Sequence, residues 1–155
     1  GYGNSCDAQD MVAADETGAG AARAMRMALR KANMDLALVG YINAHGTGTP
    51  LNDSAETQAI KSVFGEHAYM LAVSSTKSML GHMMGAAGAV EALICVLALQ
   101  HNLLPPTINL EQPDLACDLH YVPNQAMLKP IEAALSSSIG LGGHNSALIF
   151  RQFHG

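Results

Sequence analysis

Charge is scarce in this chain. Only 14% of its 155 residues are charged, where about a quarter is usual. The formal net charge is −5 and no basic block stands out, which argues against a nucleic-acid partner. Cysteine is sparse as well. Cys6, Cys95 and Cys117 show no paired spacing, so neither a disulfide framework nor a zinc site is expected, and a reducing, cytoplasmic-type compartment follows. No stretch reads as a signal peptide. The longest apolar run, around residues 86–99, reads as too short to span a bilayer and is broken by Glu91, so no membrane partner is expected. There is no starting methionine, and residues 1–5 read as the tail of an element that begins earlier, as in one part of a longer protein.

What is present is 49% apolar residues and 15 glycines, in a length that supports one domain with a core. So little charge beside so much apolar surface suggests that part of the chain packs against something else.

Residues 74–92 organise the rest. Lys77, His82 and Glu91 stand there among small and apolar residues, a setting in which charge is costly unless paired or used. Residues 92–99 are apolar on every face, which describes a helix buried all round. Gly81, Gly85 and Gly88 thin the beginning of that helix, so that another backbone or a ligand can approach. Residues 71–73 form a short apolar run ending in hydroxyls. The pattern reads as strand, polar turn and buried helix, with reactive groups at the turn.

Elsewhere, Met25, Ala28, Leu29 and Ala32 recur at helical spacing within residues 18–33. Arg23, Arg26, Arg30 and Lys31 fall on another face, read as solvated, with docking of an acidic partner as the sharper alternative. Residues 39–44 form a buried strand that ends at His45 and runs into the glycine and threonine turn 46–50. Asn52 or Asp53 is expected to cap a helix reaching Phe64, with one face in and one out and Gly65 closing it. Pro105 and Pro106 force an extended exit, residues 110–118 read as loop and residues 119–122 as a short strand. Residues 133–139 and 146–150 read as strands joined by a connection too short for a crossover helix, hence antiparallel. The order implies an α/β fold, a mixed sheet covered on both faces. Ligands in such folds bind beyond the carboxyl ends of the strands, where His45 and Lys77 fall. His144 lies in the last hairpin.

Taken singly, His45 reads as satisfied by backbone and His82 as either a cap or a functional group. Together at one sheet edge, with Lys77 and Glu91, they are hard to explain as packing. Zinc is disfavoured because no HxxH or HxxxH spacing exists and Lys77 would oppose a cation. An acyl-transfer site fits better. Two imidazoles can donate to a developing oxyanion or enolate, a lysine–glutamate pair can fix their orientation, and the Thr47 and Thr49 hydroxyls can bind an amide-rich arm. A credible nucleophile is absent.

Four segments carry a resemblance: Ala44-His45-Gly46-Thr47-Gly48-Thr49-Pro50-Leu51-Asn52-Asp53; Ser75-Thr76-Lys77-Ser78 with Gly81-His82 and Gly85-Ala86-Ala87-Gly88; Leu104-Pro105-Pro106-Thr107-Ile108-Asn109; and Gly140-Leu141-Gly142-Gly143-His144-Asn145. In that order they are similar to the C-terminal half of a β-ketoacyl-[acyl-carrier-protein] synthase of the elongating type II kind, over about residues 1–150. The resemblance implies half of a thiolase fold, with a mixed, mostly parallel sheet, helices on both faces and a buried central helix. Residues 1–155 would be that half, inactive alone, because the nucleophilic cysteine belongs to the N-terminal half. His45 and His82 would assist decarboxylation of malonyl carrier protein and stabilise the enolate, with electrostatic support from Lys77 and Glu91. Thr47 and Thr49 would bind the phosphopantetheine arm that the substrates carry, with no cofactor or metal of the enzyme's own. Leu141, where phenylalanine is usual, and Gly142 would form a gate flanked by Asp7. Implied partners are acyl carrier protein, the N-terminal half and, at full length, a second copy.

Ile139 and His144 also depart from the family's usual residues, and His144 is expected to be structural. The alternatives are a non-catalytic half-domain that binds carrier protein, a polyketide ketosynthase, or a coenzyme A thiolase, the last disfavoured because residues 140–145 hold no cysteine. None of the three cysteines matches the family's nucleophile. Cys95 lies in an apolar run, Cys117 between Asp114 and Asp118, and Cys6 before Asp7 with no basic residue preceding Arg23, so none is expected to accept an acyl group.

Overall fold

The apolar and β-branched runs pair into one five-stranded sheet in the order β1-β7-β6-β2-β3. In the computed structural model, which describes residues 1–153, β1 is Tyr2–Cys6, β2 Val39–Asn43, β3 Ala72–Ser74, β6 Ala133–Gly140 and β7 His144–Arg151. β2 pairs parallel with β3 and β6, whereas β7 runs antiparallel to both β6 and β1. Four strands therefore point one way and β7 alone is reversed, the mixed and mostly parallel sheet that was expected. The β6–β7 connection is a single 3-10 turn, Leu141–Gly143, which permits only the antiparallel return.

Side chains alternate across the pleat, and each face has its own helices. Ile42, Val73, Leu135 and Ile149 join the core shared with α1 (Ala19–Ala32) and α2 (Pro50–Phe64). Tyr41, Ala72 and Ala134 face the other way, onto Cys95, Ala98 and Leu99 of α4 (Ala87–His101). Close approach of α1 depends on Gly3, where a Cβ would lie 2.0 Å from the Ala24 carbonyl oxygen. Two arginines of α1 are stapled rather than free. Arg23 donates to the Cys6 carbonyl at 2.9 Å and Arg26 to the Ser62 carbonyl at 2.7 Å.

Several expectations are corrected. α2 begins at Pro50, whose fixed φ suits a first helical turn, with Thr49 in the cap position. Asp53 does not cap it but accepts the Gly48 amide at 3.2 Å. Residues 119–122 form no strand. They contribute one parallel bridge, Ala72↔His120, because Val122 adopts a left-handed φ of 42° and proline follows. A two-stranded sheet, β4 (Leu103–Leu104) with β5 (Met127–Leu128), was not foreseen.

The central helix differs most. Gly81, at φ 74°, closes a separate short helix, α3 (Lys77–Leu80), and α4 starts only at Ala87. A Cβ on Gly81 or Gly85 would meet nothing within 4 Å among the described residues, so the space a side chain would fill there is open. α4 is buried on one face only. Glu91, Cys95, Ala98 and Leu99 point in, while Leu93, Val96 and Leu97 remain 57%, 42% and 42% exposed. The apolar segment is also longer than it read. Met84–His101 has the length and composition to cross a membrane, yet it packs along β6 and β2 with Glu91 paired inside the chain, as a core helix does.

Candidate active site

Parallel strands β2 and β3 end side by side, and their continuations carry the chemistry. The Ala44 amide donates to the Ser74 carbonyl at 2.9 Å, which keeps the two chains together one residue beyond the ladder. His45 and Gly46 follow on one side, and Ser75, Thr76 and α3 on the other. Gly46 has φ 39°, and a Cβ there would lie 2.4 Å from that of Ser75, so only glycine fits this turn. The Ser75 hydroxyl donates to the Gly46 carbonyl at 2.6 Å.

The backbone of His45 is fixed from below by a residue that sequence reasoning missed. Glu56 of α2 is 3% exposed and accepts the amides of His45 at 2.8 Å and Gly46 at 2.9 Å, with the Ser137 hydroxyl also donating to it. Burial pushes its carboxyl up, and the Ser137, Gly46 and His45 bonds oppose the shift. The available signal was positional. Glu56 shares the apolar stripe of α2 with Ala59 and Ile60.

His45 and His82 meet edge to face, with ring centroids 5.3 Å apart. His45 is 8% exposed. Burial first, then the neighbouring positive charge of Lys77 and of His82, lowers its pKa to about 3. It is therefore a neutral imidazole near neutrality, a hydrogen-bonding group and not a charged acid. His82 is exposed, and its Nδ1 accepts the Met84 amide at 3.2 Å, which leaves the proton of the neutral ring on Nε2, free to donate.

Lys77 and Glu91 form a hydrogen-bonded ion pair, with side chains 6% and 3% exposed. Burial raises the Glu91 carboxyl and Lys77 pulls it back. Lys77 and Glu91 thus share the network expected of them. Among the described residues no hydrogen bond extends that network to His82, whose ring meets His45 and whose Nδ1 bonds to backbone. Two buried side-chain atoms among the described residues have no hydrogen-bond partner, His45 Nδ1 and Glu91 Oε2. A buried orphan costs about 1–3 kcal/mol, and both belong to the set singled out from sequence. No three His, Cys, Asp or Glu side chains are grouped to hold a metal among the described residues.

A cleft of about 550 Å³ opens beside these groups and is lined by Thr47, Thr49, Lys77, Ser78, His82 and Thr107, among others. Thr47 and Thr49, both in its lining, share a 3.0 Å hydrogen bond. Leu141, Gly142 and Asp7 do not line it. They form a second cluster at the β6–β7 hairpin, one strand over. Leu141 is 65% exposed, the Gly142 amide donates to the Met11 carbonyl at 2.8 Å, and the Asp7 amide to the Gly143 carbonyl at 2.8 Å. The Asp7 carboxylate accepts from Asn145 at 2.7 Å. Burial pushes the Cys95 thiol up to about 12 and also raises that of Cys117. Arg23 donates to the Cys6 carbonyl, and the Cys6 thiol donates to the Gly142 carbonyl at 3.6 Å.

A mixed α/β sheet thus brings two imidazoles and a buried lysine–glutamate pair to adjacent parallel strand ends. The chain belongs to the β-ketoacyl synthase family, matching its "Beta-ketoacyl synthase, C-terminal domain" over residues 1–111. It is 50% identical over 153 residues to a 3-oxoacyl-[acyl-carrier-protein] synthase 2 of Synechocystis sp., covering 99% of this chain and 37% of the relative. It is 53% identical over 149 residues to the synthase of the same name from Coxiella burnetii, covering 96% of this chain and 36% of that one. Among solved structures, a type II polyketide ketosynthase in complex with its acyl-carrier protein superposes with a TM-score of 0.97 at 40% identity, over 99% of this chain and 38% of that one. A β-ketoacyl synthase from Burkholderia phymatum gives 0.92 at 39%, over 99% and 37%. The chain thus spans a little over a third of the length of the curated relatives it matches.

Proposed function

We propose that this chain is the C-terminal half of a 3-oxoacyl-[acyl-carrier-protein] synthase that elongates acyl chains by decarboxylative condensation. The observation that carries the reading is the His45–His82 pair set against the buried Lys77–Glu91 ion pair beside the cleft. The malonyl thioester loses carbon dioxide, and the electrons of the broken bond collect on the thioester oxygen as an enolate. Two imidazoles donating N–H to that oxygen stabilise the charge as it develops. The enolate carbon then attacks the acyl thioester held on a cysteine supplied by the complementary N-terminal half, and the thiolate leaves. Burial first, and then the charge of Lys77, keep His45 neutral, and Glu91 holds Lys77 in place. Thr47 and Thr49 offer paired hydroxyls to the amides of a phosphopantetheine arm. Leu141, Gly142 and Asp7 form the acyl-side gate, and acyl carrier protein, the N-terminal half and a second copy are the partners, in the cytoplasm. Identities of 50% and 53% to fatty-acid-type synthases, against 40% to the polyketide ketosynthase, favour the former.

The test uses an enzyme assembled from this chain and the complementary N-terminal portion of a curated relative. His45→Ala is expected to slow malonyl decarboxylation at least a hundredfold while acyl transfer to the cysteine falls less than tenfold. Equal loss in both half-reactions would overturn the assignment.

A further inference from the structure

Half of the basic residues of this acidic chain crowd onto one helix. Of the eight lysines and arginines in the sequence, Arg23, Arg26, Arg30 and Lys31 belong to α1, which carries no acidic residue. Lys31 lies over the Tyr2 ring, 5.6 Å from its centroid. The three arginines instead line a groove of about 1020 Å³ between α1, the turn that follows it and the last turn of α2. Spaced by three and then four residues, they form one stripe on the helix surface, about 10 Å long.

The charge of this stripe is not neutralised within the chain. Arg23 and Arg26 are stapled through Nη2, to the Cys6 carbonyl and to Ser62. The staples fix both guanidinium groups, and the donors on Nε and Nη1 have no partner among the described residues. The Arg30 side chain is in no hydrogen bond there, and no carboxylate is within ion-pair distance of any of the three. Asp35, also in the lining, accepts the Ala37 amide at 3.0 Å. The floor of the groove is apolar. Met27, Met34, Leu36 and Val63 line it and are half-buried, and methionine adapts its shape to what it meets. A small phosphate would satisfy the arginines and leave this floor in water. An amphipathic helix satisfies both, with carboxylates at spacings of three and four against the arginines and apolar side chains on the floor.

We propose that this groove is a docking surface for an acidic amphipathic helix of a partner protein. It shares no lining residue with the cleft beside the histidine pair, and the proposal is independent of the condensation described above. The arginine stripe sets approach and register, and the floor supplies apolar burial. Because the chain as a whole carries a formal charge of −5, it repels acidic partners elsewhere, and the stripe directs the encounter to one place.

Binding to this chain is measured at low ionic strength by fluorescence anisotropy. The probe is a labelled helical peptide with glutamates at spacings of three and four and leucines on the adjoining stripe. It is expected to bind about tenfold more tightly than the same peptide with lysine for glutamate, and about fivefold more tightly than the one with glutamine for leucine. Arg30→Glu, at an exposed position with no side-chain hydrogen bond to lose, is expected to weaken binding about tenfold, while Arg151→Glu, outside the groove, leaves it unchanged. Equal affinity for the glutamate and lysine peptides, or an Arg30→Glu chain that binds like wild type, overturns the proposal. Equal affinity for the leucine and glutamine peptides overturns it too, and makes the groove a site for small anions. Capture by phosphatidylglycerol vesicles that is lost in Arg30→Glu, with no binding of the glutamate peptide, would assign the stripe to a membrane surface and overturn it as well.

Discussion

The two faces of the sheet are finished to different degrees. On the α1 and α2 side the core is closed, and Met25, Ala28, Ile42 and Ile60 are 1% exposed or less. On the α4 side the helix seals the centre with Cys95, Ala98 and Leu99, then leaves Leu93, Val96 and Leu97 outward. The polar groups divide in the same way. On the closed side Glu56 is saturated by two amides and a hydroxyl. On the open side the Lys77–Glu91 pair keeps one carboxylate oxygen unpartnered. His45 stands on the seam, its backbone pinned from the closed side and its ring turned toward the open one. Rigidity comes from one face and reactivity from the other, which is how a scaffold holds a group in place without consuming its hydrogen-bonding capacity.

Breaking the ionic pair of the open face should give the largest effect. Glu91→Leu leaves the Lys77 ammonium buried without its counter-charge and is expected to cost about 3–5 kcal/mol by urea denaturation. Replacing both, Lys77→Met with Glu91→Leu, should fall within about 1 kcal/mol of the wild-type chain, because the desolvation cost goes with the charges. On the closed face, Glu56→Ala orphans two buried amides and is expected to cost about 2–4 kcal/mol. A Glu91→Leu variant as stable as wild type would mean that the open face is wet and the contrast between the faces false.

Much of this was legible in the sequence because it is local. A strand ending in His45, a turn that demands glycine at 46, and three ionisable residues in an apolar stretch are written within short windows. Helix α1 and the β6–β7 hairpin follow from spacing in the same way. Glu56 was less legible, since a glutamate at that point of a helix reads as surface and its partners lie 10, 11 and 81 positions away. The serine-rich stretch Ser136–Ser137–Ser138 inside a strand was the companion signal, as hydroxyls in a buried strand need an acceptor. Burial of α4 was over-read for a different reason. A helix apolar on every side does not say which sides this chain covers, and the sheet covers one.

The seam residue gives a pH test of intermediate size. The folded-state pKa of His45, about 3, lies below its unfolded value near 6.5. The native state therefore binds fewer protons, and the contribution of His45 to stability is lost as pH falls from about 6.5 toward 3, by up to about 1.4 kcal/mol per pH unit. Glu56 and Glu91 act with the opposite sign, because their folded-state pKa values are raised, and their stabilisation is lost as pH rises from the ordinary carboxylate range. The wild-type curve is the sum of these slopes. The difference between wild type and His45→Asn isolates the first of them, and it should shrink steadily below pH 6.5. A difference that stays flat from pH 4 to 7 would place the ring in solvent.

The smallest effect on stability, and the sharpest on association, is expected from the outward face of α4. Leu97 is 42% exposed and Leu99 5% exposed on the same helix, so the two leucines compare the faces with one chemistry. Leu99→Ala removes packed side chain and leaves a cavity, a change worth about 2–3 kcal/mol. Leu97→Gln touches little and should stay within about 0.5 kcal/mol. Leu93, Val96 and Leu97 lie at spacings of three and four with Met84 at 68% exposure and Leu80 at 52% in the segments before the helix, and contiguous apolar surface of this kind drives association. Leu93→Gln with Leu97→Gln should therefore lower the binding of an apolar-surface dye several-fold and reduce self-association in sedimentation, with the urea midpoint nearly unmoved. If dye binding persists in that double variant, the sticky surface of this chain lies elsewhere, and the exposed side of α4 is ordinary solvent-facing helix.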